Sequence, residues 1–185
     1  MSTQTYQTRW LDVIDKNTQD FQEAFSSISH EQMNWKPDPT TWSIGQNIDH
    51  LLVTNASFFP IIDSIRSGNY KVPWIPSRSF LVKFNEKMIM DYVKPERAKR
   101  TKTIPIWEPT QSQVEEGVLQ KFVAQQEKLK VLITNSQDLV EAGTKISSPF
   151  SKYIVYHLEA AYDIIVTHEQ RHLAQAKEVL EVIPI

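Results

Sequence analysis

Residues 168 to 172 read HEQRH, two histidines four apart with a glutamate between them. Side chains at i and i+4 stack on one helical face, the spacing at which two imidazoles can share one ion. The spelling fits H-E-x-x-H, in which the histidines hold zinc and the glutamate is the general base of a metalloprotease. Such a peptidase needs a third ligand after the second histidine, a glutamate on a following helix or a third histidine. Here the sequence continues LAQAKEVLEVIPI, with neither histidine nor glycine. Glu178 and Glu181 lie further along the same helix, about 9 and 13 Å up its axis, and do not fold back onto the ion. No upstream strand is evident to hold a peptide by β-augmentation, so the sequence argues against a protease.

Cysteine is absent, which excludes disulfides, Cys-ligated zinc and a thiol nucleophile of the protein's own and leaves any metal to His, Asp or Glu. Among the other histidines, His30 sits in the first loop, and His157 is about 16 Å along the helix from His168. His50, in IGQNIDHLL on the second helix, reaches the ion if the second and fourth helices are neighbours. Periodicity alone leaves that reading level with a histidine that merely flanks an apolar seam. One histidine on a core stripe is ordinarily a hydrogen-bonded core residue. Two at i and i+4 bring four ring nitrogens that need partners, which favours an ion. Asn47, Asp49 and Glu169 are candidate partners for the ring N–H groups. No residue is assigned a catalytic role.

The elements that must position these residues read as helices. Only four glycines occur, and apolar residues recur at spacings of three and four, an all-α pattern. A first helix is expected over about Tyr6 to Ser27, with Trp10, Val13 or Ile14, Phe21 and Phe25 inward. The stretch NWKPDPTTW, with two prolines, is a turn. Ser43 with Gln46 spells a capping box that opens a second helix to about Ser67. Its seam is Ile44, Ile48, Leu51, Asn55, Phe58, Ile62 and Ile65, with Pro60 expected to kink it or end it early. From Asn69 to Pro109, five prolines and one stretch fit for a helical turn or two, SFLVKFNEKMIMDYV, predict a long crossover loop between helices 2 and 3. Ser112 with Glu115 spells another capping box, opening a third helix to about Asn135. The fourth, from about Ser151 to Glu181, carries Ile154, Leu158, Ala161, Ile165, His168, His172, Gln175 and Val179 on one seam. The expected architecture is a four-helix bundle in one domain over residues 1–185.

Twenty Lys and Arg against 22 Asp and Glu give a net charge of -2, so nothing global attracts nucleic acid or an acidic membrane. The basic stretch KPERAKRTK, residues 94–102, reads first as a solvated loop, with an anion-binding lid as the functional alternative. The N-terminus is polar from its start, and no window approaches the roughly 18 apolar residues of a membrane span. A cytoplasmic protein without membrane association is expected.

Two segments, NWKPDPTTWSIGQNIDHLLVTNASFF and HEQRHLAQAKEVLE, resemble the DinB-like (YfiT-like) superfamily of four-helix-bundle metal-dependent enzymes. That family has a W-S-I-x-x-x-x-x-H stretch opening the second helix and an H-x-x-x-H pair on the last. The resemblance implies a divalent ion, zinc or nickel foremost, on His50, His168 and His172, with open positions for water or substrate. It also implies a homodimer and, as in bacillithiol and mycothiol S-transferases, transfer of a low-molecular-weight thiol. The function expected is thus metal-dependent transfer or hydrolysis on a small-molecule substrate. The alternative is a non-catalytic metal-binding stress-response module of the same fold.

Overall fold

A computed structural model describes residues 4–74, 76–95, 103, 105–109 and 113–184. Among these residues eight α-helices, one 3-10 turn and one hairpin follow in chain order: α1 (Gln4–Phe25), α2 (His30–Asn34), α3 (Ile44–Ala56), α4 (Phe59–Arg66), α5 (Ser79–Val93), the 3-10 turn (Pro105–Trp107), α6 (Val118–Asn135), α7 (Gln137–Glu141), β1 (Lys145–Ser148), β2 (Ser151–His157) and α8 (Leu158–Leu180). The fold class is all-α, with a minor two-stranded sheet. Helices α1, α3, α6 and α8 form a bundle in which α8 packs on α1 and α3, and α6 packs on the same two.

The bundle core follows the apolar periodicity. Trp10, Ile14, Phe21 and Phe25 of α1 are buried, as are Ile44, Ile48 and Leu51 of α3. The buried side chains divide into two apolar clusters. One holds Trp10, Ile14, Phe58, Leu129 and Ile165; the other holds Phe21, Leu51, Phe122 and Leu173. Between them lies a polar layer with one residue from each bundle helix. The Glu169 carboxylate of α8 accepts from Asn17 Nδ2 of α1 at 2.9 Å, Asn55 Nδ2 of α3 at 2.8 Å and Gln126 Nε2 of α6 at 2.8 Å. All four residues are buried, and satisfying a buried carboxylate requires donors of this kind.

The second helix stops at Ala56 rather than at Ser67, the early end expected of Pro60, which lies in the first turn of α4, where its missing N–H has no partner to lose. Three expectations are corrected. The third helix does not open at Ser112, which lies outside the described residues. It begins at Val118 behind Gly117, whose φ of 81° suits glycine, while Glu115 pairs with Lys121 at 2.9 Å. The fourth helix starts at Leu158, because SKYIVYH forms β2, antiparallel to β1. Its β-branched and aromatic residues suit a pleated strand, so an upstream strand does exist. The crossover carries a 15-residue helix, α5, which packs on α8 and β2. Most of the basic segment 94–102 lies outside the described residues.

Candidate metal centre

The local structure that carries His50 begins with the turn before α3. Asp38 Oδ1 accepts from the backbone N–H of Thr40 and Thr41, at 2.7 and 2.9 Å, and folds the PDPTT segment back on itself. Ser43 then caps α3 in a capping box: its side chain accepts from Gln46 N, and Gln46 Oε1 accepts from Ser43 N. Gly45 allows the helix start to press against its neighbours, since a Cβ there would lie 2.3 Å from Val114 Cγ2 and 3.1 Å from the Met33 carbonyl. Asn47 on this anchored first turn and His50 on the next both face α8.

On α8, His168 and His172 project towards α3, and the three imidazoles meet there through their Nε2 atoms. His172 Nε2 lies 3.0 Å from His168 Nε2, and His50 Nε2 lies 3.4 Å from it. Trp42 stacks on the His172 ring, with centroids 5.9 Å apart and planes 19° from parallel.

The tautomers follow from the outer partners. His50 Nδ1 contacts the Trp107 carbonyl oxygen at 2.5 Å, which only accepts, so Nδ1 carries the proton and Nε2 a lone pair. Asn47 Nδ2 donates to the Ser43 carbonyl at 2.9 Å, which turns Asn47 Oδ1 towards His172 Nδ1 at 2.8 Å. His172 Nδ1 therefore donates, and its Nε2 also presents a lone pair. His168 Nε2 can donate to one of these nitrogens but not to both. Only one of the two Nε2 contacts can therefore be a hydrogen bond, and a cation between the rings would satisfy the lone pair left over.

Electrostatics agree. Burial pushes the His50 pKa down to about 4, against the opposing pull of the Trp107 carbonyl and Asp49. His168 is held well below the ordinary histidine value first by burial and then by His50 and Arg171, and His172 first by burial and then by His168, His50 and Arg171. All three rings are neutral at pH 7, the form that binds a metal. Three nitrogens around one tetrahedral ion, each about 2.0–2.1 Å from it, stand about 3.3 Å apart, close to the two separations observed. The donor set fits a divalent ion. Among the described residues, these three form the group of His, Asp and Glu side chains spaced to hold one.

The remaining candidates lie elsewhere. Glu169 turns away from the histidines into the polar layer, so the HEQRH spelling does not supply a base beside the ion, and the protease reading loses its catalytic residue. His157 caps the start of α8 and contacts Glu86 Oε1 through Nδ1 at 2.7 Å. His30, the first residue of α2, contacts the Val114 carbonyl. Sequence reasoning missed Asn17 and Gln126 of the polar layer. Their signal was a polar residue at core spacing, Ile14–Asn17–Phe21 and Phe122–Gln126–Leu129. It also missed the Trp107 carbonyl, which no side-chain pattern can reveal.

The histidines open into a cavity of about 970 Å³ between α3, α5, α8 and the crossover turn, with Trp42, Tyr92, Trp107 and Arg171 on its wall. Its size is that of a small-molecule site. No helix among the described residues is long and apolar enough to cross a membrane. No curated protein and no solved structure matches the chain. A family model matches residues 14–176, a span that holds all three histidines, and by that match the chain belongs to the DinB superfamily.

Proposed function

We propose that this protein is a metal-dependent enzyme acting on a small molecule, with zinc or nickel held by Nε2 of His50, His168 and His172, and that it transfers a low-molecular-weight thiol or hydrolyses its substrate. The observation that supports the reading is the convergence of three Nε2 atoms at the wall of a large cavity, two of them with lone pairs fixed by outer hydrogen bonds. When bound, the ion supplies Lewis acidity, generating a hydroxide or thiolate at neutral pH. The chain's own residues orient the rings. Asn47 and the Trp107 carbonyl hold the protons on Nδ1, and Trp42 covers one face of His172. Three histidines with room beside them are the donor set of a catalytic ion rather than of a closed structural one, which separates this reading from a non-catalytic metal-binding module. The chain has no cysteine, so a thiol nucleophile comes from a cosubstrate. A homodimer and a cytoplasmic location belong to the same reading, and light scattering checks the first.

The test is metal content by mass spectrometry of untagged protein, beside His50→Ala. One ion per chain, lost in the variant, is expected. Full occupancy without His50 would sink the cross-helix site. If a loaded protein then turns over neither thiol acceptors nor hydrolysable small molecules, the non-catalytic module takes its place.

A further inference from the structure

Helix α5 turns one face inward. Val82, Asn85 and Val93 are buried, Asn85 donates to the Val155 carbonyl of β2 at 3.0 Å, and Glu86 contacts His157 Nδ1 at 2.7 Å. On the outer side Phe80, Phe84, Met88 and Tyr92 recur every four residues, each about 6 Å further along the axis. Phe80 is 68% exposed, Phe84 63% and Met88 41%. Large apolar side chains set together in water mark a contact surface. The stripe also leads somewhere, because Met88 and Tyr92 line the cavity beside the histidines.

The charges along this helix are mostly positive. From Arg78 to Lys94 there are four basic residues against two acidic ones, in a chain whose net charge is -2. Lys83 and Lys87 follow Phe80 and Phe84 by three positions, the spacing of helical neighbours, and both are exposed. Arg78, at the start of α5, stands 5.1 Å from the ring centroid of Trp74, which is 73% exposed. Of the two acids, Glu86 is held on His157, and Asp91 pairs with Lys87 and Lys94. Aromatic and apolar side chains with a basic edge are the composition of helices that lie in the headgroup layer of an acidic bilayer. A second copy of the same face would bring the same excess of positive charge, and facing like charges weaken such a contact.

We infer that α5 docks the protein on an anionic lipid surface, with Trp74, Phe80 and Phe84 in the interfacial layer and Arg78, Lys83 and Lys87 on the lipid phosphates. The net charge of -2 gave the expectation of no membrane association; here the attraction is local to one helix and acts within a Debye length of the surface. The docking is independent of the metal site. Its consequence, that an apolar substrate dissolved in the lipid is brought beside Met88 and the cavity, rests on the function proposed above.

The experiment is cosedimentation of the full chain with vesicles of phosphatidylcholine alone and of phosphatidylcholine mixed with phosphatidylglycerol, at low and at high salt. Binding is expected to the mixed vesicles, weakened by salt, with phosphatidylcholine alone bound at least about tenfold more weakly. Lys83→Gln should weaken binding about fivefold, the share of one basic residue near the surface. Phe80→Ser combined with Phe84→Ser should weaken it about tenfold or more, since the rings then no longer enter the interface. These side chains are exposed, so circular dichroism and zinc stoichiometry should match the wild type. No binding to the mixed vesicles at low salt, or unaltered binding in the double variant, would overturn the inference. A double variant that halves the molar mass in light scattering, with neither protein binding vesicles, would give the face to a second copy instead. Failure of the metal site shows in zinc stoichiometry and leaves vesicle binding readable.

Discussion

At the scale of single residues, the site depends on which ring nitrogen holds the proton, and that is decided outside the rings. Asn47 is the clearest case, because its amide is oriented by the Ser43 carbonyl on one side and passes that orientation to His172 on the other. Partners of this type typically contribute tenfold to a hundredfold in metal affinity. Asn47→Leu is therefore expected to weaken zinc binding by about that factor, whereas Asn47→Asp, which still accepts from Nδ1, keeps or tightens it. Competition with a chromophoric chelator reads both. Equal affinities in the two variants would mean that the hydrogen bond does not set the tautomer.

At the scale of elements, the glutamate of HEQRH is a tie between helices. Glu169 collects one amide donor from each of α1, α3 and α6, and burial raises its pKa while those donors oppose the shift. Glu169→Leu leaves the Asn55 and Gln126 amides without their acceptor, while Asn17 Nδ2 keeps the Val166 carbonyl. At about 1–3 kcal/mol for each unsatisfied group, a loss of about 2 kcal/mol or more is expected in urea denaturation. Zinc stoichiometry should remain at one per chain, because the carboxylate does not face the ion site. A stable Glu169→Leu protein that lost its metal would contradict this placement. The same layer bears on register: a helix sliding by one turn would put Asn17, Asn55 or Gln126 into an apolar cluster at the cost of an unpaired amide.

At the scale of the whole molecule, the proposed metal site would link metal binding to folding, since the three histidines come together only when α3 and α8 pack. Zinc at about a hundred times its Kd adds about 2.7 kcal/mol, worth about 5–10 °C in Tm for a chain of this size. Chelation should lower Tm by that amount in the wild type and by nothing in His50→Ala. The pH dependence of the metal-free protein has a definite sign. In the unfolded chain the three histidines titrate near 6.5, while in the fold His50 is lowered to about 4 and the other two lie well below their ordinary value. As pH falls below about 6.5, the unfolded chain takes up protons that the fold refuses. Stability should then drop by up to about 1.4 kcal/mol per pH unit for each histidine, until His50 protonates in the fold near pH 4. Glu169, with its raised pKa, works in the opposite sense and offsets part of the loss. Urea midpoints at about pH 7.5 and about pH 5 measure the slope, which should be shallower in His50→Ala; a flat profile would mean that the rings are not buried neutral.

The sequence by itself determined the bundle seams, the Ser43 cap and the i, i+4 pairing of His168 and His172, because periodicity and capping are local properties of a chain. It also carried the W-S-I and H-x-x-x-H segments on which the family resemblance rested. It misread residues 151–157, where strand and helix compete over a short apolar run and the pairing with Lys145–Ser148 tips the balance. It underestimated α5, whose packing on α8 and β2 stabilises what propensity alone left short. Only the tertiary structure brought His50 against His168, turned Glu169 away from both, and set the Trp107 carbonyl on His50 Nδ1. These contacts join residues 57 to 118 positions apart in the chain, and side-chain spacing within one helix holds no information about which face of a distant helix it will meet.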